Sequence, residues 1–192
     1  MISMIEQLYQ HYLKSTGVST DTRSVKDGNI WIALKGPNFD ANKFADLALE
    51  KGAMVVVIDD PAFAKDERYF VVEDGLTALQ QLGNHHRKQL DIPFIGITGS
   101  NGKTTTKELM RDVLAKKYKV HATKGNLNNH IGVPLTLLQI DETIEIAIIE
   151  MGASKVGDIA ELCGIADPTH GLITNIGKAH LEGFGGVEGV IR

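Results

Sequence analysis

At 192 residues the chain has room for one large domain or two small ones, and its 43% hydrophobic and 23% charged residues are the proportions of an ordinary globular protein. A net charge of −4 without basic clusters makes nucleic acid a poor partner, and the single Cys163 excludes a disulfide framework and suits a reducing compartment. No basic segment followed by an apolar core opens the chain, and no apolar run approaches membrane-spanning length, so a soluble, cytoplasmic protein with no membrane insertion is expected, as a monomer.

In chain order, Ile5, Leu8, Tyr9, Tyr12 and Leu13 repeat with helical spacing and predict an amphipathic helix ending near Gly17. A short polar β-leaning segment over 18–24 follows, then a turn at Lys26-Asp27-Gly28-Asn29 and a strand over 30–34. Residues 36–40 read as a loop and 43–51 as a helix stopped by Gly52. Val55–Ile58 has the continuous apolar character of a buried strand, and Phe70-Val71-Val72 is a further short one. A helix from Leu76 runs to the Asp91-Ile92-Pro93 break. The spacing therefore predicts a small mixed α/β domain over 1–88, with the boundary between His85 and Pro93, and a second domain over 89–192.

The second domain restarts with a strand at 94–97, a glycine-rich loop, and a helix whose Leu109, Met110, Val113 and Leu114 suggest one apolar face. Strands are expected around 118–121, over 144–149 and over 171–174, the last of them buried, with a helix over 156–163 between the second and third. Alternating strands and helices argue a mostly parallel P-loop-type α/β sheet, in which ligands bind at the carboxyl ends of the strands.

The loop is the most informative stretch. Gly99-Ser100-Asn101-Gly102-Lys103-Thr104-Thr105 follows an apolar strand and opens a helix, the order a polyphosphate cradle needs: inward N–H groups, small residues, and a helix N-terminus behind them. Lys103 would reach the β- and γ-phosphates of ATP, and the Thr104 hydroxyl would serve a Mg²⁺. The glycines stand at 96, 99 and 102, whereas the common loop would need one at 97, occupied by Ile97, and the dinucleotide fingerprint does not fit either. Glu150 ends an apolar run, so its carboxylate costs desolvation unless something cationic meets it, which in a phosphate-loop domain a Mg²⁺ would do; an N-cap or a salt bridge for the following helix is the alternative. His180 is, by spacing alone, a loop histidine.

The segments Gly96 to Thr105, Glu150-Met151-Gly152-Ala153 and Asn175 to Gly185 together resemble the central domain of the Mur ligases, ATP-dependent amide-forming enzymes of peptidoglycan precursor synthesis. Thr20-Asp21-Thr22-Arg23, the run from Gly28 to Gly36 and Asp40 are similar to the uridine-nucleotide-binding domain of that family, and Lys124 to Leu138 resembles the member that adds D-alanyl-D-alanine. The resemblance implies ATP and Mg²⁺ as cofactors, UDP-N-acetylmuramoyl tripeptide and D-alanyl-D-alanine as partners, and reaction through an acyl phosphate. It implies Lys103, Glu150 and His180 as catalytic residues, with Thr104 and Glu150 on one Mg²⁺ and His180 helping to hold a second. Thr22, Arg23 and Asn38 are implied for the uridine diphosphate end, and Asn126, Asn128 and Asn129 for the muramoyl-peptide side, where turn formation and capping of a helix near Ile131 is the competing reading. Where the family usually has Gly-His after Asp40, this chain has Ala41-Asn42, a departure that puts a substrate role for positions 41 and 42 in doubt. Relatives carry a carbamylated lysine and a third domain further on; both are expected to lie beyond Arg192, with a helix starting near Val187 cut short, so these residues alone are expected to bind without ligating. A nucleotide- or UDP-sugar-binding module without ligase activity is the reading from a different class, and a diaminopimelate-adding, lysine-adding or folylpolyglutamate-type ligase is the alternative within the same chemistry.

Overall fold

The computed structural model describes residues 2–177, 180–186, 188 and 189. The chain forms two compact units, Met1–His85 and His86–Arg192. The helix expected to start near Val187 begins outside the described residues.

In the first unit α1 (Met4–Tyr12) starts with a reciprocal cap: Glu6 N donates to the Ser3 hydroxyl, while Ser3 N donates to the Glu6 carboxylate at 2.7 Å. The helix buries Leu8 and Tyr9 and ends at Tyr12, short of the expected Gly17, the chain continuing in tight turns. β1 (Val18–Ser19) and β2 (Ile30–Ile32) come next, and then β3 (Lys35–Gly36) and β4 (Phe39–Asp40). The stretch read as a loop is thus a small antiparallel hairpin, with Lys35 opposite Asp40 and Gly36 opposite Phe39 across a Pro37-Asn38 turn. A 3₁₀ turn over Ala41–Phe44, capped by the Asp40 carboxylate, leads into α2 (Ala45–Glu50), β5 (Val55–Ile58), a second 3₁₀ turn over Pro61–Phe63, β6 (Tyr69–Val71) and α3 (Gly75–Arg87).

Among the described residues, four strands of this unit pair in parallel in the order β1-β2-β5-β6. Parallel pairing explains why β2 and β5 are buried along their whole length: crossover connections cover both faces, so no position is left to be polar. On one face, Trp31, Val56 and Ile58 pack against Ala45 and Ala48, whose small side chains let α2 lie close to the sheet.

Asn42, one of the two residues departing from the family pattern, is completely buried. Its Nδ2 donates to Asp40 Oδ1 (2.8 Å) and Asp59 Oδ1 (2.7 Å), and its Oδ1 accepts from Asp59 N (3.1 Å). Both side-chain donors and the side-chain acceptor are used inside the fold, so Asn42 ties the hairpin to the end of β5. Asn42→Ala is expected to destabilise the protein by about 2–3 kcal/mol, because it strands buried donors and acceptors in a charged network. A urea midpoint unchanged from wild type would contradict this.

The second unit contains β7 (Phe94–Thr98), α4 (Lys103–Leu114), β8 (Val120–Ala122), α5 (Gly132–Leu137), β9 (Ile146–Glu150), α6 (Asp158–Ala166), β10 (His170–Ile173) and α7 (Leu181–Phe184). Its strands are parallel in the order β10-β7-β9-β8. The mixed α/β first unit and the parallel α/β second unit agree with the fold class read from the sequence. β9 lies inside the sheet and is buried throughout, Ala147 and Ile149 facing Val133 and Leu137 of α5 and Leu162 and Ile165 of α6. β10 was expected to be buried, but among the described residues it lies at the edge of the sheet and Ile173 is 61% exposed. The expected apolar face of α4 is also corrected. Leu109 and Val113 are 63% and 71% exposed, whereas Met110 and Leu114 are half-buried and the fully buried position of the helix is Lys107. Neighbours in a helix point 100° apart, so the pairs 109/113 and 110/114 lie on different faces despite their similar chemistry.

Arg87 fixes the entry into this unit. Its Nε and Nη2 donate to Asp167 O, Nε also to Ala166 O and Nη1 to Leu90 O, and the guanidinium lies 3.8 Å over the Phe94 ring. A cation at the carbonyl end of α6 complements the helix dipole, and burial lowers the Arg87 pKa from its ordinary value.

Candidate functional site

Because the strands of the second unit are parallel, their carboxyl ends share one edge, where Thr98, Thr123, Glu150 and Thr174 stand. The glycine spacing follows from what lies around this edge. A Cβ on Gly96 would come within 2.6 Å of Met151 Cε and 3.2 Å of Pro168 Cβ, so a larger residue at position 96 would require the Met151 side chain and Pro168 to shift. Gly99 combines φ of +133° with Thr174 Oγ1, which would lie 2.2 Å from an added Cβ. Of the displaced glycines, Gly99 is the one that answers to the partner segment at 174–177.

That segment pins the loop. Ser100 N donates to Asn175 O (3.0 Å) and Asn101 N to Asn175 Oδ1 (3.2 Å), while Asn101 O accepts from Thr174 Oγ1 (2.6 Å) and Asn175 Nδ2 (2.8 Å). Gly177 N donates to Ser100 Oγ at 2.8 Å. Gly102, at φ +79°, turns the chain into α4, whose first residue is Lys103, so Thr104 and Thr105 lie in the first helical turn. Lys103 Nζ donates to Gly99 O (2.6 Å) and Ser100 O (3.4 Å), which places the ammonium over the loop. Thr98, Gly99, Ser100 and Lys103 line a cavity of about 520 Å³, with Val156, Ile173, Asn175 and His180 on its other walls. His180 has φ of +49°, a conformation uncommon outside glycine, and its carbonyl accepts from Phe184 N (3.1 Å). The wall segment at 154–158 is fastened by Asp158, whose Oδ2 accepts from Ser154 N (2.7 Å) and Lys155 N (3.0 Å). Burial raises that carboxyl, but these hydrogen bonds outweigh it and hold its pKa below the ordinary value.

Glu150 does not line this cavity. It is 1% exposed at the end of β9; Oε1 accepts from Thr104 Oγ1 (3.2 Å) and Asn128 Nδ2 (2.9 Å), and Oε2 is buried without a hydrogen-bond donor. The cation that meets this carboxylate is Lys107, with Nζ 3.6 Å from Oε2. Capping of the following helix plays no part, since α6 begins at Asp158 with Gly157 as its N-cap. A threonine hydroxyl, a carboxylate and an orphaned carboxylate oxygen at the mouth of a phosphate loop suit Mg²⁺, which takes oxygen ligands and completes its shell with phosphate oxygens. The second metal fits less well. Among the described residues no group of three or more His, Cys, Asp or Glu side chains could hold an ion, and no carboxylate joins His180 on the cavity wall.

The three asparagines divide. Asn128 joins Glu150 and its carbonyl accepts from Gly152 N (2.7 Å); Asn129 Oδ1 accepts from Ile131 N (3.1 Å) and Gly132 N (2.9 Å), capping the entry to α5; Asn126 is exposed beside them. In the first unit a second cavity, of about 420 Å³, is lined by Thr20 to Arg23, Trp31, Phe39, Ala41 and Phe44. It brings Thr22 and Arg23 together. Asn38 lies at the exposed hairpin turn, outside that lining. Arg23 gives Nε and Nη2 to the Asp21 carboxylate, which this pairing holds down at about 2. Phe39 and Phe44 stack at 5.7 Å between ring centroids.

Residues 97–192 match the family model described as the Mur ligase middle domain. The chain belongs to the Mur ligase family. Among curated Mur ligases it is 46% identical over 176 residues to the UDP-N-acetylmuramoyl-tripeptide–D-alanyl-D-alanine ligase of Bacillus subtilis, which covers 91% of this chain and 38% of the relative. Among solved structures, a MurF from Acinetobacter baumannii superposes with a TM-score of 0.87 at 35% identity, covering 98% of this chain and 44% of that one. The MurF ligase from Thermotoga maritima, solved in complex with ADP, gives 0.85 at 37% identity over 94% of this chain and 42% of its own. This Mur ligase chain therefore spans about two fifths of the length of the relatives it matches.

Three site features were missed in the sequence. Lys107 carried a signal, since it stands four residues after Lys103 and so on the same helical face. Thr174 and Asn175 fasten the loop from more than 70 residues away, and Thr123 engages both Lys107 and Glu150; nothing local marks either contact.

Proposed function

We propose that this chain is the nucleotide- and uridine-diphosphate-binding part of an ATP-dependent ligase that joins D-alanyl-D-alanine to UDP-N-acetylmuramoyl tripeptide. The observation that carries the reading is the loop from Gly99 to Thr104, held by Asn175 and opening α4, in a chain 46% identical to a ligase of that name. The loop N–H groups and the α4 N-terminus bind the polyphosphate, and Lys103 leaves the Gly99 and Ser100 carbonyls to meet the β- and γ-phosphates. Thr104 and Glu150 hold a Mg²⁺ whose charge, when bound, offsets that of the phosphates. The chemistry needs no covalent nucleophile from the protein: the tripeptide carboxylate takes the γ-phosphoryl group, the dipeptide amine displaces phosphate, and the residues supply alignment and charge. His180, which lines the same cavity as Lys103, is assigned to the transferred group. Thr22 and Arg23 take the uridine diphosphate end in the first unit's cavity. Asn128, hydrogen-bonded to Glu150, and the exposed Asn126 are assigned to the muramoyl-peptide side.

The full-length protein is expected to release phosphate from ATP only when UDP-muramoyl tripeptide and D-alanyl-D-alanine are both present, whereas these 192 residues alone bind nucleotide without turnover. Turnover with a free amino acid in place of the dipeptide would identify a sibling ligase instead.

A further inference from the structure

Helix α4 places Lys107, with no solvent exposure, at its most buried position. Burying an ammonium is costly unless its charge and its protons are all matched. Lys107 Nζ donates to Thr123 O (2.7 Å), lies 3.0 Å from Glu108 Oε1, and stands 3.6 Å from Glu150 Oε2. The last distance is within ion-pair range but too long for a hydrogen bond. Lys107 thus gives Glu150 a counter-charge without occupying Oε2, the oxygen that has no donor. Thr123 fixes the geometry from both sides, its carbonyl on the ammonium and its hydroxyl accepting from Glu150 N at 2.9 Å. Glu108, by contrast, is 40% exposed and also bridged to Arg111. The ammonium sits between one buried carboxylate and one on the solvent side.

We propose that Lys107 is a displaceable counter-ion and a positioning residue for the nucleotide site. It balances Glu150 while no metal is bound, and passes its charge to Glu108 when a divalent cation takes Oε2. The Lys107–Glu108 pair thereby sets how tightly Glu150 accepts the ion. This rests on the reading of Glu150 as a metal ligand. Two variants then shift the affinity in opposite directions: Lys107→Met removes a like charge from the metal's surroundings, whereas Glu108→Gln leaves the whole ammonium facing Glu150.

The test uses the full-length protein in one fixed buffer throughout. Calorimetry gives the affinity for a non-hydrolysable ATP analogue with Mg²⁺ and with EDTA, and the ratio of the two is the readout. Lys107→Met is expected to raise that ratio by about tenfold, and Glu108→Gln to lower it by about threefold or more. A lysine that only packs would cost stability in the first variant and leave both ratios at the wild-type value, which overturns the proposal. Should Lys107→Met fail to fold, Glu108→Gln on the exposed side decides alone, and an unmoved ratio there is equally fatal. A wild-type ratio near one removes Glu150 as a metal ligand and this inference with it; a ratio well above one that neither variant moves removes the counter-ion alone.

Discussion

Lys103→Ala is expected to abolish measurable nucleotide binding, with a loss of about 100-fold or more in affinity for Mg-ATP by calorimetry. Hydrogen bonds to a charged group are worth about 1.5–3 kcal/mol each, and the ammonium is placed to make at least two such contacts to phosphate oxygens. Its present acceptors, the Gly99 and Ser100 carbonyls, are half-buried and can turn to water when it is gone, so the fold should survive. Thermal unfolding of the unliganded variant should therefore follow that of wild type. Unchanged affinity would take the loop out of its assigned role.

Gly99→Ala should damage both stability and binding. An added Cβ meets Thr174 Oγ1 at 2.2 Å and the Asn175 backbone at 3.0 Å, at a φ of +133° that a side chain tolerates poorly. Backbone strain of about 1–3 kcal/mol and overpacking of about 1–3 kcal/mol give a total of about 2–6 kcal/mol, read as a lowered urea midpoint. The controls separate the two causes. Gly99→Ala combined with Thr174→Ala relieves the nearest clash and should recover part of the loss. Gly102→Ala has open space around its Cβ and pays only for its φ of +79°, so it should cost about 1–2 kcal/mol. Equal losses at 99 and 102 would mean that the contact with 174–175 does not explain the glycine.

The sequence was most legible where the physics is local. The loop after β7 was readable because a phosphate cradle demands small residues, a lysine and a helix start within a few positions of one another. β5 and β9 were readable because burial on both faces leaves an unbroken apolar run. Legibility failed where the partner is distant in the chain. Ile173 and Val57 are both β-branched residues in apolar strands, yet one lies at a sheet edge and is exposed and the other lies inside a sheet and is buried. Strand order, which decides the difference, is not written in either segment. The same limit applied to α4, where the chemistry of Leu109 and Val113 suggested the buried face and the identity of the inward position, Lys107, made sense only once β8 and β9 were seen to end beside it. Asn42 shows the reverse case, a residue whose departure from a family pattern was visible at once but whose use, three hydrogen bonds inside the first unit, was not.

Arg87 bears on how the protein can be taken apart. Its guanidinium covers the Phe94 ring and fills the carbonyl end of α6, and His86 Nε2 lies 2.7 Å from Ile140 O. A gene fragment begun at residue 89, after the helix that reads as the end of the first domain, would discard both side chains while keeping everything they serve. The excised piece would start with an aromatic ring stripped of its cover and a helix end short of its cation. Start sites for a nucleotide-binding fragment belong upstream of His86, within α3 or before it, even though those residues read in sequence as the tail of the preceding domain.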